Sequence, residues 1–346
     1  MRYARCDVTI ADHYRMANAL VLVVPGLLAQ PPQALASMRS LATIAAYAGK
    51  SRIETDGLAK ALFIAVGIAS GTPVAPLALL GAGGDPGEDY VLRADPVHLA
   101  AARDRGLLVR TIDDLSAVDA GTLVRMLDGH FADDDLRFEI VRPDAWFVRR
   151  REPARIATTP PDAVRGRDAA ACMPSGPESG LWRRWQNEIE MLLHDHAVNR
   201  QREARGALPV NAVWFSGGGR LAEVPALPSA FVTAPPSPLG DLARGIACVA
   251  GTVPASDDIA HAVARARNAG GDALAVLPRV LDVADLETRT LAPALLLLNA
   301  RQVTTVHLVA DGNGTTIAWS AQRPRLWRRL TMRTSRRAFA MPSEPA

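Results

Sequence analysis

The chain has 346 residues, 49% hydrophobic and 22% charged, a globular composition with length enough for about two domains. Its three cysteines, Cys6, Cys172 and Cys248, are odd in number and far apart. That argues against a disulfide framework or a cysteine zinc site and fits a reducing cytoplasm. The formal net charge of +3 is uneven: seven arginines lie between Arg323 and Arg337, and without them the charge is −4.

The first apolar stretch, Ala19 to Ala29, is far shorter than a bilayer span and contains Pro25-Gly26. Asp7 and Asp12 precede it and no small-x-small cleavage site follows, so it reads as a strand and turn rather than a signal sequence. Leu20–Val24 is the expected strand, with helices at about Gln33–Tyr47 and Glu54–Ile68. A second apolar run, Ala75–Leu80, stops at a glycine-rich breaker, residues 81–86. From Asp89 the pattern becomes α+β. Strands are expected at Tyr90–Arg93, Leu107–Ile112, Leu136–Val141 and Ala145–Arg149, with a helix over Ala117–Phe131 capped by Ser116.

Residues 151–180 lack any period and read as a linker or long surface loop. A long helix, about Leu181 to Ala204, carries an apolar stripe of Leu181, Trp185, Ile189, Leu192/Leu193 and His196, and Gly206 and Pro209 end it. Strands at Ala212–Phe215, Ala230–Thr233, Ala273–Leu277 and Val303–Val309 then alternate with helices at Leu239–Ala250, Asp258–Asn268 and Val283–Leu298. The expectation is an α/β, doubly wound, mostly parallel sheet with an inserted smaller α+β domain. Residues 1–85 plus 206–330 would form the discontinuous core, 86–150 the insert, 151–180 the linker, 181–205 the connecting helix and 331–346 a basic tail.

The residues offer several chemistries, each with a plain structural alternative. Gly217-Gly218-Gly219 after a strand suggests a phosphate cradle, but no P-loop or dinucleotide fingerprint is completed, and a tight turn is favoured. His194-Asp195-His196 does not chelate from one helix, because residues two apart do not share a face. Glu190 and His194 are suitably spaced, while His196 reads as a core histidine. Asn199, Arg200, Arg202, Arg205 and Asn211 would grip an anion through forked hydrogen bonds, against the simpler role of cations at a helix C-terminus. The arginine tail, with Trp327 among its charges, reads equally as a phosphate-and-base contact or as a solvated edge strand.

The run Asn199–Gly219 (NRQREARGALPVNAVWFSGGG) resembles a segment of the archaeal-type cofactor-independent phosphoglycerate mutases, through Asn199, Arg202, Gly206, Pro209, Asn211, Gly217 and Gly219. Ser216 stands where that family usually has arginine. Collinear likenesses occur at Ser70–Gly81, resembling the nucleophile loop and helix, at Asp89–Leu99, and at Leu242–Gly251. Trp182, Trp185, Asn187, Glu188 and Ile189 are similar to a helix of bacterial proteins labelled RpfE-type regulatory proteins or phosphoglycerate mutases.

The resemblance implies an alkaline-phosphatase-like fold and two divalent metals activating a Ser or Thr. Thr72 falls at the nucleophile position. The metal ligands depart from the pattern: Pro25 replaces the aspartate of an Asp-Gly, Pro73 another aspartate, Leu277 and Leu286 two histidines, and Gly312 a third, leaving Asp282 and Asp311.

The expected protein is therefore a cytoplasmic, regulatory, phosphoglycerate-mutase-like pseudoenzyme without a metal cofactor or a catalytic residue. It would bind a phosphorylated small molecule or a protein partner, with Asn199, Arg202, Asn211, Gly217 and Gly219 as the ligand site and no membrane contact. The rival is an active phosphomutase or phosphatase using Thr72 with Mn or Mg. Nucleic-acid binding through the tail ranks last, since 37 of the 39 basic residues are arginine throughout the chain.

Overall fold

A computed structural model describes residues 18–48, 52–55, 57–102, 106–164, 168–227, 230–252, 259–280, 282–312 and 314–324. The strands are β1 (Ala19–Val24), β2 (Arg52–Thr55), β3 (Tyr90–Ala102), β4 (Gly106–Thr111), β5 (Arg137–Arg142), β6 (Ala145–Arg150), β7 (Ala212–Gly219), β8 (Ala230–Thr233), β9 (Asp272–Val276), β10 (Thr305–Gly312) and β11 (Thr315–Gln322). The helices are α1 (Pro32–Ser37), α2 (Arg39–Ala48), α3 (Leu58–Ala65), α4 (Ala75–Ala82), α5 (Ala117–His130), α6 (Pro161–Val164), α7 (Ser179–His194), α8 (Ala197–Ala204), α9 (Pro238–Val249), α10 (Ile259–Ala269), α11 (Val283–Leu286) and α12 (Ala292–Asn299). The described residues fall into two compact units, one within 1–70, 228–235 and 250–346, the other within 71–227 and 236–249.

In the first unit six strands run in the order β2-β11-β10-β1-β9-β8. β8, β9, β1 and β10 are parallel, and β11 pairs antiparallel with both β10 and β2. All six β1 residues are buried, as a central parallel strand requires. Leu20, Leu22 and Val24 meet Leu41 and Ile44 of α2, Val263 of α10 and Leu298 of α12 in one core. Each such side chain contributes about 1.5–3 kcal/mol on burial. By strand alternation Val21 and Val23 point to the opposite face, and α3 packs against β1, β10 and β11.

The second unit is built on an antiparallel sheet. Along β3, β6 pairs with Tyr90–Arg93 and β4 with Val97–Ala102 on one edge, while β7 pairs along the other. On one face Leu123 and Leu127 of α5 and Trp182, Trp185 and Ile189 of α7 pack with Leu92, Trp146, Val148 and Phe215. On the other, Ala75, Ala78 and Leu79 of α4 meet Val91 and Phe147. α4 and α9 cross at glycines: a Cβ at Gly81 would lie 1.8 Å from the Asp241 carbonyl oxygen, and one at Gly245 1.9 Å from that of Leu77.

The α/β class, the mostly parallel sheet and the separate α+β unit are present, and Ser116 caps α5 through Asp119 N–H at 3.0 Å. Other expectations need correction. The expected helix at 33–47 is two helices meeting at Met38, whose buried side chain sits on extended backbone. Arg52–Thr55 is a strand on β11 rather than the start of a helix.

The 181–205 helix breaks at Asp195, and half-buried His196 begins α8, its Nδ1 accepting from Val198 N–H at 3.2 Å. Residues 151–180 are no free linker, because Val164, Ala169 and Cys172 are buried against Val97, Ala212 and Trp214. The second unit is wider than 86–150, since β7 pairs with β3 and not with the first sheet. No helix among the described residues is long and apolar enough to cross a membrane. Cys6, Trp327, the 331–346 tail and every arginine of the basic segment except Arg323 lie outside the described residues.

Candidate functional site

Open parallel sheets bind ligands beyond the carboxyl ends of their strands, where the strand order reverses. In the first unit the central parallel strand is β1, between β9 and β10. β1 runs into Pro25-Gly26, β9 into Leu277-Pro278-Arg279, and β10 ends at Asp311-Gly312. Backbone bonds hold these ends together: Leu277 N–H donates to Val23 at 2.9 Å and Val280 N–H to Pro25 at 3.0 Å. Gly26 N–H donates to Asp311 Oδ1 at 2.6 Å. Gly26 has φ +78°, and a Cβ there would lie 3.1 Å from Cγ of Arg279. Three of the positions that depart from the mutase pattern, Pro25, Leu277 and Gly312, thus gather at one edge with Asp311.

Their chemistry is sparse. The side chains of Pro25 and Leu277 have no ligating atom. Asp311 is 7% exposed and turned toward the backbone, and Asp282 caps α11 by accepting from Ala284 and Asp285 N–H. Among the described residues no group of three or more His, Cys, Asp or Glu side chains is placed to hold a metal. A two-metal phosphoryl-transfer centre needs several such ligands around each ion, so the donors here do not fit one.

Beside this edge opens a cleft of about 960 Å³, lined by Thr233 at the end of β8, the 276–280 segment after β9, and one face of the 283–299 helix. Lining positions 282, 285, 286, 289, 290, 293, 296 and 297 recur every three or four residues, a single helical stripe. The helix is interrupted by a π-turn at Glu287–Leu291, a rare feature frequent at functional sites. Glu287 fixes that turn by accepting from Ser40 N–H at 2.7 Å. Of the two arginines in the cleft, Arg289 is paired with Asp285 at 2.7 Å. Arg279 is exposed and has no hydrogen-bond or ion-pair partner among the described residues. Neither Arg279 nor the cleft is among the expected site residues. The signal was available in an arginine just past a strand end.

The other expected site residues belong to the second unit. Thr72 is buried, and its Oγ1 has no hydrogen-bond partner among the described residues. Pro73 packs on Gly219, where a Cβ would lie 2.5 Å from the proline ring, and Val74 N–H donates to Gly217 O at 3.2 Å. The glycines therefore admit the 72–74 loop. Gly217–Gly219 is the end of β7, irregular in register opposite Val91–Arg93, not a free turn.

Asn199 donates to the Leu193 and Val210 carbonyls at 2.7 Å each and accepts from Val210 N–H at 2.9 Å. Arg202 is 1% exposed, donates to Leu208 O at 2.7 Å and pairs with Asp114 at 2.5 Å. Asn211 exchanges two bonds with the Leu99 backbone. These three side chains staple the 206–211 segment to α8 and β3, while Arg202 Nη1 has no hydrogen-bond partner among the described residues. His194 and Glu190 border a hollow of about 400 Å³ with Asn187 and Met191, and burial raises the Glu190 pKa.

A further polar group escaped sequence reading. Arg93 and Asp95 form a buried pair on β3, with Arg93 5.4 Å over the Phe147 ring. Asp241, fully buried at the start of α9, is gripped by both arms of Arg142 at 2.9 and 2.8 Å and by Arg244.

No protein-family model matches the chain, and no curated protein matches it in sequence. Solved structures similar to it include the cofactor-independent phosphoglycerate mutase from Thermoplasma acidophilum DSM 1728. That likeness has 14% identity, covers 89% of this chain and 90% of that one, and has a TM-score of 0.37. The PH0037 protein from Pyrococcus horikoshii is similar at 14% identity over 88% of this chain and 87% of that one, with a TM-score of 0.45. At these values no residue role passes from either protein to this chain.

Proposed function

We propose that the chain is a phosphoglycerate-mutase-like cytoplasmic protein that binds a phosphorylated metabolite without turning it over and acts in regulation. One observation carries this reading. At the carboxyl edge of the first sheet Arg279, without a hydrogen-bond or ion-pair partner among the described residues, lies over Gly26, whose amide donates to Asp311. A guanidinium binds a phosphoryl group through two parallel hydrogen bonds, but it activates no water or hydroxyl as a metal does. Thermal-shift measurements with 3-phosphoglycerate and sugar phosphates test it. A stabilisation that disappears in Arg279→Gln is expected, and its persistence in that variant refutes the reading.

The enzyme alternative draws on Thr72, a buried hydroxyl without a hydrogen-bond partner among the described residues. It requires near-stoichiometric Mn or Mg in the purified protein and phosphotransfer that Thr72→Ala abolishes.

A further inference from the structure

We propose that the cleft of the first unit takes an organic anion with an apolar body, its charged group at Arg279 and its body along the 283–299 helix. The inference rests on the anion-binding reading above and specifies the other half of the ligand. A three-carbon phosphate ester occupies only a small part of 960 Å³, a volume within the range that encloses drug-sized ligands. The walls it leaves uncovered are Ile259, Leu277, Val280, Leu286, Pro293 and Leu296. Leu296 is 68% exposed on this face, a large apolar side chain left in water where a ligand body would cover it.

The polar groups narrow the ligand's charge. Asp285 neutralises Arg289, and Asp282 is turned to the N–H groups that open α11. Arg279 is then the cation with no partner among the described residues, at the end of the cleft where β9 stops. A neutral apolar ligand would leave that guanidinium unused. A small polar anion would leave the stripe wet. A carboxylate, sulfonate or phosphate on an aromatic or branched aliphatic body satisfies both.

Three fluorescence and calorimetric titrations of the full chain separate the contributions. The probes are 8-anilinonaphthalene-1-sulfonate, which has body and charge, N-phenyl-1-naphthylamine, which has the body alone, and inorganic phosphate, which has charge alone. The sulfonate is expected to bind saturably at one site, at least tenfold more tightly than either other probe. Arg279→Gln should weaken it about tenfold, the loss of one charge-assisted contact, and leave the neutral naphthylamine unchanged. Leu296→Ser, at an exposed position that does not threaten folding, should weaken both aromatic probes.

Equal binding of the sulfonate and the neutral naphthylamine, or a sulfonate affinity indifferent to Arg279→Gln, overturns the proposal. If 3-phosphoglycerate still shifts the melting temperature through Arg279 in that case, the anion site survives and only the apolar half falls. If neither probe nor phosphoglycerate depends on Arg279, both fall.

Discussion

His307 makes the stability of the first unit depend on acid in a measurable way. It sits on β10 opposite Val21 of β1 and Ser320 of β11, 3% exposed, with Nδ1 2.9 Å from Ser320 Oγ. Burial lowers its pKa from 6.5 to about 4, because an imidazolium there would lose its hydration. Above pH 6.5 both folded and unfolded chains hold it neutral and it contributes no pH dependence. Below pH 6.5 the unfolded chain takes up a proton that the folded chain refuses, so stability falls until about pH 4. At ~1.36 kcal/mol per pH unit the whole interval is worth roughly 3 kcal/mol, and about 2 kcal/mol is lost between pH 7.5 and 5. Urea denaturation of the wild type and of His307→Gln across that range isolates the effect, because the carboxylates titrate in both. The variant should start less stable and lose about 2 kcal/mol less on acidification. Parallel losses in the two proteins refute the argument.

Gly245→Ala should cost about 3 kcal/mol or more in chemical denaturation, since its Cβ would stand 1.9 Å from a backbone oxygen of α4 that cannot yield without parting the helices. Asn199→Ala should cost about 2–4 kcal/mol, because the Val210 N–H and two carbonyls lose their partner. It should leave any phosphate-dependent thermal shift intact, which a ligand-binding asparagine would not. Thr72→Val should raise the melting temperature, by about 1 kcal/mol in stability, as a buried hydroxyl with no hydrogen-bond partner among the described residues becomes a methyl.

What was legible in the sequence was local. The ALVLVV run announced a buried strand by its unbroken apolar character, and Ser116 announced its helix through a capping bond to a residue three positions on. What escaped depended on distant partners. Arg52–Thr55 is a strand because β11, more than 250 residues later, offers it an edge, and the β-branched Ile53 and Thr55 are too short a run to announce it alone. His196 fits an apolar helical stripe by spacing, yet its ring nitrogen gains more by capping α8, which breaks the helix. Asn199 and Arg202 looked like anion ligands because their donors are the donors an anion wants. The backbone carbonyls of Leu193, Val210 and Leu208 want the same donors, and the chain supplies them first.

That competition bears on the carboxyl edge of the first sheet as well. Of its two candidate metal ligands, Asp311 spends an oxygen on Gly26 N–H and Asp282 spends one on two helix amides, so each anion is already partly compensated by backbone dipoles. Proline at 25 carries no carboxylate that would make the edge strongly negative. The positive charge that does reach it comes on the flexible stem of Arg279, laid across a glycine with no side chain to resist it. A metal would need several anionic or imidazole ligands to overcome its own dehydration, whereas an arriving phosphate or carboxylate needs only a cation within reach and a wall against water. The edge is short of the first and supplied with the second, and the proposed recognition of an anion rests on that difference.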